Sequence, residues 1–128
     1  MKGASEMLSA AFVILTIAVA LGTVLAMLHL RTGRTAPPWP LGAVHGILAL
    51  GGLVCLALAL RGPPRGVEHG TGSFGIIAAV LFVLAALLGA RLLAARLFSK
   101  RIVGGTIAIH ATLAVSGFVI LAAYVFAG

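Results

Sequence analysis

Charge and cysteine are the two things this 128-residue chain has least of. Only 9% of its residues are charged, two of them are acidic, and one is a cysteine. A soluble domain needs a polar surface, and a chain that is 62% hydrophobic with a mean hydropathy of +1.23 cannot provide one. One cysteine excludes a disulfide framework or a thiolate metal site within the chain. Glu6 and Glu68 fall near the ends of apolar runs, so no carboxylate sits mid-membrane to drive a proton-coupled transporter. Flavin, nicotinamide and iron–sulfur motifs are absent as well.

What is present is four long apolar runs, at 7–30, 41–60, 73–98 and 105–127. Each approximates the ~20 residues that cross a bilayer as a helix. RTGRTAPPWP, RGPPRGVEHGTG and FSKRIVGG carry the proline, glycine and charge that end helices. The sequence therefore predicts one domain, an all-α integral membrane bundle of four transmembrane helices. Nothing remains for a soluble catalytic domain. The opening MKGASEMLSAAFVILTIAVALG imitates a signal peptide, but its apolar run is long for one, and it is expected to stay as helix one.

The net charge of +7 reads as a topology signal, with no nucleic acid implied. Arg31, Arg34, Arg96, Lys100 and Arg101 fall in loops one and three, with Arg91 just inside helix three; Lys2, Arg61 and Arg65 lie on the other side. The excess predicts loops one and three in the cytoplasm, both termini outside, and a bacterial inner membrane as the setting. Trp39 in PPWP is a candidate interfacial anchor on the same side.

An internal repeat connects the two halves. AVHGILALGGLVCLA, residues 43–57, lies over AIHATLAVSGFVILA, residues 108–122, with 8 of 15 positions identical at an offset of 65. A fainter echo sets IAVALGTVLAMLHL over LAALLGARLLAARL, with Gly22 above Gly89. Alanine- and leucine-rich helices match cheaply, but the chain has only four histidines, and His45 falls on His110. A duplicated helical hairpin is the sharper reading. Tandem hairpins share one orientation, so a pseudo-twofold axis along the membrane normal would relate them. His45 lies five residues beyond Pro40, about 7 Å into its helix. His110 lies five beyond Gly105, at the same expected depth.

Two imidazoles at one level could hold one iron from its two faces, the axial arrangement of a b-type haem. Gly52 and Gly117, seven residues after their histidines, share their helix face and leave room for a flat cofactor or a neighbouring helix. Haem carboxylates need cations, and Arg91, Arg96, Arg34 and Lys100 are the candidates on that side; Arg91 and Arg96 are expected to bind the cofactor, with plain interfacial anchoring the alternative for Arg96. A lone membrane histidine is more often a hydrogen-bond donor to a carbonyl of the next helix. The matched pair raises the cofactor reading to a level with that alternative. Zinc is disfavoured for want of a third and fourth ligand. Bacteriochlorophyll, with one axial ligand per magnesium, is not separated from haem by spacing. His29 and His69 are expected to be solvated, the latter beside Glu68. Thr71 or Ser73 is expected to cap helix three.

Four helices with short loops and histidines on two of them resemble the small four-helix membrane b-type cytochromes that pass electrons between quinol and a partner. The likeness covers the whole chain as a topology, but only His45 and His110 as residues. It implies haem binding, exchange with quinone, and partner subunits in the bilayer. Such proteins often carry more histidines and two haems, but His29 and His69 form no second membrane pair, so at most one haem is expected here. The competing expectation is a non-catalytic accessory subunit of a respiratory or photosynthetic membrane complex, with or without a pigment.

Overall fold

The computed structural model describes residues 2–32 and 38–127. Four helices follow in order: α1 (Lys2–Arg31), α2 (Trp39–Ala59), α3 (Phe74–Leu97) and α4 (Gly104–Phe126). Each is long and apolar enough to cross a membrane. The last three match their expected spans to within two residues at each end; α1 starts five residues earlier, because KGASE contains no proline to stop a helix.

The helix ends follow local chemistry. Trp39 and Pro40 open α2, where proline loses no needed hydrogen bond, and the amides of Leu41 and Gly42 reach the Pro38 carbonyl. At the end of α3 the Ser99 amide bonds the Arg96 carbonyl and the Lys100 amide bonds the Ala95 carbonyl. That pairing needs a left-handed residue, and Ser99 takes φ 51° in place of the usual glycine. Between α2 and α3, a short 3-10 turn at Val67–His69 is bracketed by Gly66 (φ 64°) and Gly70 (φ 74°). The expected side-chain cap on α3 is not made. The Ser73 hydroxyl forms no capping bond, and the Thr71 hydroxyl donates to the Gly66 carbonyl within the loop.

Sequential helices pack side by side, and α1 also touches α4, while α2 touches α3. Among the described residues α2 and α4 therefore stand diagonally, as do α1 and α3. The duplication is written in the burial. Among the described residues, fourteen in the helices are buried. They form seven pairs: Leu8 with Gly75, Ala11 with Ala78, Leu15 with Phe82 and Ala18 with Ala85 at an offset of 67, then Gly52 with Gly117, Leu56 with Leu121 and Ala59 with Tyr124 at an offset of 65. Among the described residues, no buried helical residue lacks its mate. The two offsets differ by two because the second hairpin has two fewer residues between equivalent positions of its helices.

Twelve of the fourteen are Ala, Gly or Leu, as expected where lipid is as apolar as the helices and close backbone approach supplies the attraction. The outward faces carry large exposed apolar side chains, among them Val13, Ile47, Ile76, Leu87 and Val119. In water they would form a very large apolar patch; in a bilayer they are the lipid-contacting surface.

Candidate functional site

The two histidines meet near one end of the bundle, across its centre. Their ring centroids are 6.1 Å apart, with the planes at 80°. The meeting is set by the facing helix of each hairpin. His45 Nδ1 lies 2.8 Å from the Ala18 carbonyl on α1, and His110 Nδ1 lies 2.7 Å from the Ala85 carbonyl on α3. Ala18 and Ala85 are one of the seven pairs, so the same bond is made twice. A carbonyl can only accept, so the shared hydrogen is on Nδ1 in both rings. In a neutral imidazole that leaves Nε2 with a bare lone pair, and no hydrogen bond to either Nε2 is formed among the described residues.

Both rings need glycine to reach this position. A Cβ on Gly22 would sit 2.9 Å from His45 Cε1, and one on Gly89 would sit 3.1 Å from His110 Cε1. Each glycine is one helical turn beyond the alanine whose carbonyl holds the ring. A site on one helix face thus supplies both the anchor and the space.

The histidines open into a pocket of about 360 Å³, at the lower end of the range for small-molecule and cofactor sites. Its walls come from all four helices and repeat across the pseudo-twofold axis. Gly22 faces Gly89, Leu25 matches Leu92, Gly42 matches Ile107, and His29 matches Arg96. The wall is predominantly apolar, with Trp39 at the α2 end, 61% exposed. Among the described residues no group of three or more metal-ligating side chains comes together, so His45 and His110 meet without a third ligating side chain beside them.

The expected site residues divide. His45, His110 and Arg96 line the pocket. Arg91 is exposed and absent from its wall, because the position equivalent to Val24 points away from the bundle centre. Lys100 is exposed beyond the end of α3 and also outside the wall. Arg34 lies outside the described residues. Gly52 and Gly117 admit helices, and neither lines the pocket. A Cβ on Gly52 would lie 2.6 Å from Leu15 Cγ, and one on Gly117 would lie 3.3 Å from Leu81 Cβ. His29, expected in solvent, is half-buried on the pocket wall, and its Nδ1 is buried without a hydrogen-bond partner. Glu68 and His69 do meet solvent, 3.6 Å apart with side chains 71% and 63% exposed.

Sequence reasoning therefore missed Ala18, Ala85, Gly22, Gly89 and His29 as parts of the site. The recurrence of Gly22 at Gly89 was the available signal; the carbonyls left none, since every residue has one. No protein-family model, curated protein or solved structure matches the chain.

Proposed function

We propose that this chain is a membrane b-type cytochrome, an electron carrier or electron-carrying subunit that holds one haem between His45 and His110. The observation that carries this reading is the 6.1 Å between the two ring centroids. Imidazole nitrogens bind first-row metals at about 2 Å, which puts two opposed nitrogens about 4 Å apart. Adding about 1 Å from nitrogen to ring centre on each side gives about 6 Å.

The donor chemistry also fits. A metal-binding histidine is typically oriented by a bond from its other ring nitrogen to a carbonyl or carboxylate. Ala18 and Ala85 provide that bond and leave both Nε2 atoms as ligands. The apolar wall excludes water and lowers the local dielectric, which favours the less charged state of a bound group. When bound, the haem supplies a one-electron couple. With no flavin, nicotinamide or iron–sulfur motif in the sequence, the chain serves as a conduit, with quinone and neighbouring membrane subunits as its exchange partners.

The setting is a bacterial cytoplasmic membrane with both termini outside. The support is the basic excess in the turns after α1 and α3. A reporter fused after Gly128 is expected to be active outside, and an active cytoplasmic reporter would reverse the orientation.

A second reading has its own observation. The two Nδ1–carbonyl bonds each clamp one hairpin and would justify the histidines in a purely structural subunit. The visible spectrum of protein purified from haem-replete cells separates the two. A Soret band with sharp reduced-state bands is expected; its absence leaves the structural subunit.

A further inference from the structure

The pocket has a polar end that the histidine pair does not use. His29 is seven residues beyond Gly22 on α1, and Arg96 is seven beyond Gly89 on α3, so each lies about 10 Å along its helix from the level of the histidine seat. The two are equivalent positions at the offset of 67, and both line the pocket. Neither has an internal anion to meet. The chain's two acids, Glu6 and Glu68, belong to the start of α1 and to the loop after α2, at the other end of the bundle. The ion pair found among the described residues is Glu68 with His69. His29 Nδ1 is buried with no partner, which is a cost unless a bound group repays it.

We propose that His29 and Arg96 bind the two carboxylates of the porphyrin, one from each hairpin. This rests on the haem reading above. The symmetry argues for it: a ligand whose iron sits between His45 and His110 lies on the pseudo-twofold axis, and a pair of carboxylates at one edge then falls one to each half. Arg96 offers a guanidinium fork for one carboxylate and His29 a ring N–H for the other. Arg91, on the outward face of the same helix as Arg96, takes no part.

The competing source of negative charge is the phosphate of a lipid headgroup, and the test distinguishes it. Protein produced without haem is placed in nanodiscs of zwitterionic lipid and titrated with iron protoporphyrin IX or with its dimethyl ester, following the Soret band. The ester keeps the ring and iron but loses both negative charges. The ester partitions more strongly into lipid, so the quantity read is the change in preference between wild type and variant. The wild type is expected to favour the free acid by at least tenfold more than the double variant His29→Gln/Arg96→Gln, about what one charge-assisted bond is worth. Arg96→Lys, which retains the charge, should keep most of that preference. Unchanged ester binding in the variants shows that the pocket is intact.

An equal preference in wild type and double variant, with both porphyrins bound, overturns the proposal while leaving the haem reading in place, the two residues then serving lipid headgroups. Binding of neither porphyrin to wild type removes the haem reading and this one with it.

Discussion

The two hairpins of this protein bury the same seven positions each, yet they fill them differently. Hairpin one puts Leu15 where hairpin two has Phe82, Ala59 where the other has Tyr124, and Leu8 where the other has Gly75. The last two exchanges compensate. The Tyr124 ring occupies the space that Gly75 leaves, since a Cβ there would come within 2.8 Å of it. Its hydroxyl accepts a hydrogen bond from the Arg65 amide at 3.4 Å, which ties the loop to the core. At the end of the bundle that holds the pocket, by contrast, the three positions that build each histidine seat are identical in both halves: Ala18 and Ala85, Gly22 and Gly89, and the two histidines. Packing tolerates any set of side chains that fills the volume. Seating an imidazole against a backbone carbonyl does not, because it requires a small residue at the contact and nothing else will do.

The largest effect should come from the histidines themselves. On the haem reading, His45→Ala and His110→Ala each abolish a six-coordinate low-spin spectrum, and His69→Ala leaves it intact. Loss with one histidine only would break the equivalence of the halves. If no haem is bound, each change should instead cost about 1 kcal/mol of stability through its interhelical bond.

The glycines that admit helices come next, and there the halves should differ. Gly52→Ala drives a Cβ against Leu15 Cγ, a side chain only 1% exposed with nowhere to go. It is expected to destabilise by about 1–3 kcal/mol in detergent unfolding. Gly117→Ala meets its nearest neighbour at 3.3 Å and should cost under about 1 kcal/mol. Equal losses would show that the second hairpin is packed as tightly as the first.

Gly22→Ala and Gly89→Ala sharpen the comparison at the site. The first places a Cβ 2.9 Å from a ring held by its carbonyl bond; the second needs a shift of only a few tenths of an ångström. Gly22→Ala is expected to perturb the histidine environment more, read as a larger change in the imidazole NMR shifts or in the haem spectrum. The reverse order would mean that His45 has more freedom than its contacts suggest.

The smallest effect belongs to Arg91, whose equivalent in the first hairpin is Val24. Arg91→Gln is expected to leave porphyrin affinity and redox potential unchanged, because the side chain is exposed outside the pocket. A lowered potential in titration would return it to the site.

The sequence by itself determined the number of membrane helices, the position of three of them to within two residues at each end, and the duplication. It could do so because a bilayer imposes one length scale and one polarity on every segment that crosses it. It also brought His45 and His110 to one level, since equal spacing from the helix start gives equal depth. Only the tertiary structure decided which neighbours those histidines have. A backbone carbonyl carries no sequence signature, so Ala18 and Ala85 were invisible. Gly52 and Gly117 share a helix face with the histidines, and only the packing showed that a neighbouring helix fills the room they leave. Rotation about the axis of α3 separated Arg91 from Arg96, and rotation about α1 turned His29 from solvent to the pocket wall. A helical period fixes which residues share a face, while the angle at which that face meets its partners is set by the other helices.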